Sequence, residues 1–273
     1  MTITDDVRDE ARSFRADRES HVRGPRGPIA FVWGDHITRP GQKVADAPGL
    51  WSPAPKGVAG IVVTATADEG VVIGGTTVDG QATLFHETAD GPHLAAFPDG
   101  SEGVVFTYDH SRYALQVWNP QSEWAKRFDR IEAFDWDEGW ALEAEIRPVE
   151  DGRTVAITHH RDPTPVEVRV AAELRFTIDG GEHRLLATRF GDAYLVHFRD
   201  ATNGVSSYYA GRSILVPDTG GSAVTLDFNR ATLLPCSFSL AWNCPLPPVE
   251  NSLPFEVTAG ERNAVDAAGV QLL

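Results

Sequence analysis

Apolar and polar residues alternate in short runs through most of the chain after residue 57, which is the period of a half-buried β-strand. In one such run Tyr113, Leu115 and Val117 lie on one face, with Ala114 and Gln116 between them. Turn dipeptides separate neighbouring runs, as they do in β-hairpins. The pattern predicts strands at residues 60–66, 70–78, 81–86, 103–109, 113–118, 140–146, 154–160, 166–178, 183–190, 193–200 and 223–228.

Many short strands with few helices are typical of β-sandwiches and β-barrels. We therefore predict an all-β fold, a barrel or sandwich of about ten or more antiparallel strands, with an N-terminal helix. The helix is expected over residues 5–22, because Asp5 or Asp6 can cap its first turn and Gly24-Pro25 ends it. Phe14 is expected to attach the helix to the rest of the protein.

The domain organisation follows from the same pattern. Residues 1–57 are predicted to form the helix and an irregular wrapping segment, and residues 58–273 a β domain. Composition does not divide the β region into blocks, and the stretch from Pro148 to Arg153 is the best candidate for a seam within it.

The charge balance limits the partners. The formal net charge of −15 repels nucleic acid and anionic membrane surfaces at long range, so neither is expected as a partner. No run approaches the roughly 20 apolar residues of a membrane span. The N-terminus is charged and lacks the apolar stretch of a secretory signal, so the expected location is the cytoplasm.

The common metal and nucleotide motifs do not occur in the sequence. His159 and His160 are adjacent in a predicted strand and therefore point to opposite faces, and neither HExxH nor CxxC spacing is present. Gly74-Gly75 and Gly220-Gly221 are not followed by the residues of a phosphate-binding loop. We therefore predict no metal and no cofactor.

The two cysteines, Cys236 and Cys244, lie in a long proline-rich loop. A chain without a secretory signal does not need a disulfide framework. A proline-rich loop is not a helix N-terminus, so nothing in the sequence lowers a thiol pKa and favours a catalytic cysteine. A buried pair of structural thiols, or a close pair able to oxidise, is the favoured interpretation, and no catalytic residue is assigned.

A polar turn over residues 200–217 offers the best candidate chemistry. Arg212 has a planar donor fork that suits a carboxylate or a phosphate, and Asp200, Tyr208 or Asp227 could pair with it. Asn203 begins a turn with the glycine that follows. The alternative is that these side chains only hold the turn in place.

The C-terminal half resembles the bacterial proteins grouped as domain of unknown function 1684. The resemblance rests on three segments: DATNGVSSYYAGR from Asp200 to Arg212, LDFNRA from Leu226 to Ala231, and PCSFSLAWNCPLPPVENSLP from Pro235 to Pro254 with Ala259-Gly260-Glu261 after it. The Phe14-Arg15 pair stands where the family usually has Trp-Arg. The resemblance implies no established activity, because the family is named for lacking one.

One departure from the family pattern bears on ligand chemistry. Relatives often have Tyr-Asn-Pro-Pro before the first cysteine, whereas this chain has Thr232-Leu233-Leu234-Pro235. A ligand site that used those polar groups in relatives would be more apolar here.

We predict that the 200–212 turn and the 229–251 loop meet at one end of the β domain, because they flank strands that are expected to be hairpin neighbours. Nine residues are the candidate ligand-binding set: Asp200, Asn203, Tyr208, Arg212, Asp227, Asn229, Cys236, Cys244 and Asn251.

Three functions remain open at this point. The set could bind or process a small anionic metabolite, with Arg212 as the anchor. Trp118, Trp136 and Trp140 could instead form a platform for a sugar or a hydrophobic ligand. The third interpretation is a purely structural motif without a ligand site.

Overall fold

The structure, a computed structural model, describes residues 5–107 and 112–273. The side chains of residues 5–8 are not described, so the predicted caps at Asp5 and Asp6 lie outside the described part. Strands dominate the described residues, as the alternating pattern predicts, and all the paired strands named below run antiparallel.

The strands in chain order are β1 (Phe31–His36), β2 (Gln42–Val44), β3 (Ala47–Pro53), β4 (Gly60–Ala65), β5 (Val72–Ile73), β6 (Thr76–Thr77), β7 (Gly80–Phe85), β8 (Ala95–Ala96), β9 (Glu102–Phe106), β10 (Ala114–Trp118), β11 (Phe128–Ala133), β12 (Ala141–Pro148), β13 (Thr154–Ile157), β14 (Val166–Arg169), β15 (Ala172–Ile178), β16 (Gly181–Phe190), β17 (Ala193–Phe198), β18 (Arg212–Pro217), β19 (Ala223–Asp227), β20 (Thr232–Leu233) and β21 (Glu261–Asp266).

The helices are α1 (Asp5–Arg23), α2 (Glu123–Arg127) and short 3-10 helices at Pro28–Ala30, Ala67–Glu69, Glu138–Trp140, Phe228–Arg230, Pro235–Ser237 and Val249–Asn251. No helix in the described residues is both long enough and apolar enough to cross a bilayer.

The chain folds into two compact units. His21–Lys126 forms the first, and the described residues up to Ser20 form the second together with Arg127–Leu273. This division differs from the one predicted at residues 57 and 58, because β3 pairs with β4 across that position. The predicted wrapping segment is therefore part of a sheet, and the stretch 148–153 lies inside the second unit.

The first unit contains two antiparallel sheets. One has the strand order β1-β10-β9-β8-β5-β6 and the other has the order β2-β3-β4-β7. Alternation along β4 places Ile61 and Val63 in the core with Trp51 of β3, and Leu115 and Val117 of β10 belong to the same buried cluster. Burial of each of these side chains contributes about 1.5–3 kcal/mol.

The second unit is built on a seven-stranded antiparallel sheet in the order β19-β12-β15-β16-β17-β18-β20, with β11-β21 and β13-β14 as separate pairs. Its inner face buries a core that includes Leu174, Val196, Ile214 and Phe228. Along β15, β17 and β18 the residues that alternate with the core residues face outward, as the alternation predicts.

The predicted strand over residues 166–178 is two strands in the structure. Val170 donates to the carbonyl of Arg153 at 2.9 Å, whereas Ala171 donates to the carbonyl of Ala187 at 2.8 Å. The two halves therefore follow different partners, β14 pairing with β13 and β15 with β16. A continuous apolar run does not reveal such a change of partner, because it depends on contacts distant in sequence.

The β15–β16 hairpin fixes the register of the outer face. Asp179 and Gly180 both have positive φ, 50° and 77°, which is the geometry of the two-residue turn favoured between antiparallel strands. The turn sets Ile178 opposite Gly181 and, further along, Arg175 opposite Arg184.

Helix α1 packs on the second unit through one face. The Phe14 ring lies edge-on to Trp136 with centroids 6.2 Å apart, so the predicted attachment through Phe14 is present. Arg18 forms a two-bond ion pair with Glu261 at 2.6 and 3.1 Å, and Glu261 also accepts from the Leu233 amide at 2.7 Å. The helix is thereby linked to β20 and β21.

Candidate functional site

The side chain of Arg212, the predicted anchor, is completely buried. It is the first residue of β18 and lies opposite Phe198, the last residue of β17. The guanidinium carbon is 5.3 Å from the centre of the Phe198 ring and 5.6 Å from that of Phe134. The arginine is therefore part of the core.

The two terminal nitrogens of Arg212 bond only to the protein. Nη2 donates to Asp200 Oδ2 at 2.7 Å and to the Val257 carbonyl at 2.8 Å. Nη1 donates to the carbonyls of Ala259 and Glu261. Burial lowers the pKa of Arg212 and the Asp200 carboxylate opposes that effect, since an adjacent negative charge favours the protonated form.

The Asp200 carboxylate is equally enclosed and uses its other oxygen to hold the backbone. Oδ1 accepts from the Thr202 amide at 2.9 Å and from the Val257 amide at 3.2 Å. The ion pair with Arg212 therefore joins the 200–211 turn to the segment around Val257. We call Arg212, Asp200 and the backbone groups they bond the Arg212 cluster.

The 200–211 turn closes on itself through Asn203. Its side-chain oxygen accepts from the Asp200 amide at 2.7 Å, and its Nδ2 donates to the Tyr208 carbonyl at 2.9 Å. Gly211 completes the turn with a φ of 98°, and a Cβ there would lie 2.6 Å from the Phe198 carbonyl oxygen. Only glycine fits between the turn and Arg212.

The turn meets the proline-rich loop, as predicted. The Tyr208 hydroxyl donates to the carbonyl of Cys236 at 3.0 Å, and the Arg199 amide donates to the carbonyl of Asn251 at 2.9 Å. Tyr208 is buried and does not contact Arg212 through any described hydrogen bond, so these two candidates serve separate contacts.

Asp227 and Asn229 form a different group. Asp227 Oδ1 accepts from the Asn229 amide at 3.0 Å and from Nδ2 at 2.9 Å, and its Oδ2 lies 3.3 Å from Arg230 Nε. Asn229 also bonds the backbone of Asp137 in both directions, at 3.0 and 2.8 Å. The possible pairing of Asp227 with Arg212 is not present.

Asn251 continues the sheet where β16 and β17 separate. The two strands pair from Thr188 to Phe190 on β16. Beyond that point the Asn251 side chain accepts from the Leu186 amide at 2.7 Å and donates to the carbonyls of Leu186 and His197 at 2.8 and 2.7 Å. The side-chain amide of Asn251 thus pairs with backbone groups of β16 and β17 that do not bond to each other, and this role is structural.

The two cysteines are free and buried, and they lie together. The Cys236 amide donates to Cys244 Sγ at 3.1 Å. A hydrogen bond from the Cys244 thiol lowers the pKa of Cys236 and outweighs burial, which raises it. The expectation that nothing lowers a thiol pKa was wrong, because the fold of the loop brings the two thiols together.

The three tryptophans of the platform hypothesis are packed individually. Trp118 is buried in the first unit against Phe31, with ring centroids 4.9 Å apart. In the second unit the Trp140 ring lies edge-on to Phe228, with centroids 5.8 Å apart, and the Trp136 ring lies edge-on to Phe14 of helix α1. None of these contacts arranges the indoles as a shared flat surface.

A cluster of arginines on the outer face of the sheet was not anticipated from the sequence. Glu173 is buried, and Arg175, Arg184 and Arg153 approach its carboxylate at 2.6, 3.4 and 3.5 Å. Burial raises the pKa of Glu173, but the hydrogen bond from Arg175 and the charges of the other arginines outweigh it and hold that pKa below its usual value.

Arg175 and Arg184 border an open cleft of about 740 Å³. Arg147, which forms a two-bond ion pair with Glu145, lines it with Arg175 and Arg184. We call Arg147, Arg153, Arg175 and Arg184 the outer arginine patch. The signal was present in the sequence, since Arg175 and Arg184 are equally spaced from the Asp179-Gly180 turn.

If the Arg212 cluster is structural, replacing Arg212 by Met should strongly destabilise the fold. The Asp200 carboxylate would remain buried without its partner, which costs about 3–5 kcal/mol. Arg230→Met is the control, because Arg230 makes surface ion pairs with Glu10 and Asp227, and the loss of each costs about 1 kcal/mol or less. Urea unfolding measures both, and equal small losses would contradict a structural role.

The pKa of His197 gives a prediction for stability against pH. Burial lowers this pKa to about 4, so the native state keeps the ring neutral while the unfolded chain takes up a proton near its ordinary value of 6.5. The free energy of unfolding should therefore fall by up to about 3 kcal/mol as the pH drops from 6.5 to 4. The His197→Gln variant should lose most of that pH dependence in urea titrations, with exposed His93→Gln as the control.

Comparison with known proteins agrees with the sequence motifs. No curated protein matches the chain. A solved structure that is similar is the solution NMR structure of the uncharacterized protein from gene locus rrnAC0354 of Haloarcula marismortui. The identity is 35%, the match covers 50% of this chain and 77% of that chain, and the TM-score is 0.41. The family described as "Protein of unknown function (DUF1684)" matches residues 126–262, just over half of the chain, and the protein therefore belongs to the DUF1684 family.

Proposed function

We propose that this protein binds a small carboxylate- or phosphate-bearing metabolite at the outer arginine patch, and that the Arg212 cluster holds the fold together without contacting the ligand. The proposal assigns binding and no reaction. It keeps the anionic ligand class that the sequence suggests and moves the anchor from Arg212 to the outer face of the sheet. The observation that carries it is the direct opposition of Arg175 and Arg184.

The enclosure of Arg212 argues against a ligand there. Its four hydrogen bonds from Nη1 and Nη2 go to one carboxylate and three carbonyls, and its side chain has no exposed surface. A ligand anion would have to displace Asp200 and leave that carboxylate buried and unpaired. Such a displacement costs more than a surface arginine contact would return.

The outer arginine patch has the opposite properties. Its four side chains are between 40% and 54% exposed, so a ligand can reach their donors. Like charges directly opposite each other on paired strands destabilise a sheet. Arg175 and Arg184 share the carboxylate of Glu173, Arg153 approaches the same group, and Arg175 also lies opposite Glu145 on β12. A bound anion would relieve the remaining repulsion.

The neighbouring residues on the outer face indicate what else the ligand carries. Thr177 and Glu182 line the same cleft, each two residues along its strand from an arginine, and Glu143 lines it four residues from Arg147. Two residues of a strand span about 7 Å. A ligand with an anionic group at one end could bind the arginines, and a hydroxyl or ammonium group at its other end could bond to Thr177, Glu143 and Glu182.

The location that we propose for the protein is the cytoplasm. Both cysteines are free thiols, which favours a reducing compartment.

The binding proposal predicts a loss of affinity in the double variant Arg175→Gln/Arg184→Gln. Hydrogen bonds to charged groups contribute about 1.5–3 kcal/mol each, so removal of both charges should weaken binding at least roughly tenfold. The measurement is a thermal-shift screen with inorganic phosphate, phosphomonoesters, dicarboxylates and amino acids, followed by calorimetric titration of the compounds that stabilise the protein.

The matched control is Arg189→Gln. Arg189 lies on β16, the strand that also carries Arg184. Its side chain is 48% exposed and pairs with Asp218 outside the cleft. An unchanged affinity in the double variant, or an equal loss in the Arg189 control, would show that the outer arginine patch is not the site. A screen in which no compound stabilises the wild-type protein would also count against the proposal.

A further inference from the structure

The proline-rich loop places two thiols side by side without a covalent bond. Cys236 lies in the 3-10 helix Pro235–Ser237, and its amide donates to Cys244 Sγ at 3.1 Å. Backbone hydrogen bonds hold the chain at the second thiol and just after it. The Cys244 carbonyl accepts from the His160 amide at 2.8 Å, and the Leu246 amide donates to the Thr158 carbonyl at 2.8 Å. The thiols therefore stay close while the loop remains folded.

A row of polar aromatic side chains leads from the thiols to the surface. The Tyr208 hydroxyl donates to the Cys236 carbonyl at 3.0 Å, and the Tyr208 and Tyr209 ring centroids are 4.8 Å apart. Tyr209 is 50% exposed, and its hydroxyl lies 3.1 Å from His160 Nδ1. The Tyr208 and Tyr209 rings therefore separate Cys236 from solvent, whereas Cys244 is itself 4% exposed.

We propose that Cys236 and Cys244 form a dithiol that hydroperoxides oxidise to an intramolecular disulfide. The Cys236 sulfur attacks one peroxide oxygen, the O–O bond breaks, and Cys236 becomes a sulfenic acid while hydroxide leaves and takes up the thiol proton as water. The Cys244 sulfur then attacks the sulfenic sulfur, the S–O bond breaks, and a second water leaves. In total, two thiols and one hydrogen peroxide give one disulfide and two waters.

The surroundings assign the two roles. A thiolate is the nucleophile in such reactions. The hydrogen bond from the Cys244 thiol lowers the pKa of Cys236 and outweighs the effect of burial there, whereas that same hydrogen bond and burial raise the pKa of Cys244. Cys236 is therefore the attacking sulfur and Cys244 the resolving one. This inference does not depend on the outer arginine patch, whose residues lie outside the cysteine loop.

The test uses the reduced full-length protein treated with stoichiometric hydrogen peroxide. The intact mass should fall by two hydrogen atoms per chain, both thiols should become unreactive to a thiol reagent after denaturation, and dithiothreitol should restore them. Peptide mapping should show the 236–244 link within one chain. Failure of the mass to fall, or disulfides only between chains, would overturn the proposal.

Two variants test the assignment of roles. Cys244→Ser should stop at a sulfenic acid on Cys236 that dimedone traps, and Cys236→Ser should react about tenfold more slowly than wild type, since the remaining thiol is the proton donor. Equal rates in the two variants would overturn the assignment. If a variant fails to fold, the wild-type mass and peptide map decide the main claim without it.

Discussion

The ion pair between Arg212 and Asp200 connects three segments that the sequence separates. Arg212 begins β18, Asp200 begins the turn that precedes it, and the carbonyls that complete the arginine's hydrogen bonds belong to Val257, Ala259 and Glu261. Two buried charges lose their hydration, and such a pair persists only when its remaining donors and acceptors are satisfied. Among the described groups only Arg212 Nε lacks a partner in this cluster. The long C-terminal segment must therefore follow one path, with its carbonyls directed at the arginine.

That path positions the neighbouring features. With the segment around Val257 fixed, Glu261 receives Arg18 of helix α1. The turn that Asp200 and Asn203 close presents Tyr208 to the cysteine loop, where it contacts Cys236. The polar side chains of the motif thus form an internal framework, whereas the exposed arginines lie on the outer face of the sheet. A family motif rich in charged and polar residues is consistent with a purely structural role for much of its length.

Local patterns predicted the parts of the fold that depend on local physics. Alternation located most strands, and the Asp179-Gly180 turn fixed a hairpin register from which the opposition of Arg175 and Arg184 follows. The sequence also offered Asp200 as one of three possible partners of Arg212, and it anticipated that the turn would meet the proline-rich loop. It did not separate Asp200 from Asp227 as the partner, because that choice depends on where the chain returns. The change of partner strand after Val170 and the hydrogen bonds from Asn251 to β16 also depend on contacts distant in sequence, so local patterns did not predict them.

The central claim is that the Arg212 cluster opens only when the whole second unit unfolds. Native-state hydrogen exchange followed by NMR tests it at the Val257 amide, which donates to Asp200, and at the Arg212 guanidinium. We predict that both exchange with the free energy of global unfolding measured by denaturant, since neither group can reach water by local motion. Exchange at rates typical of exposed loop amides would contradict the account, because it would mean that the ion pair opens to solvent while the sheet stays folded.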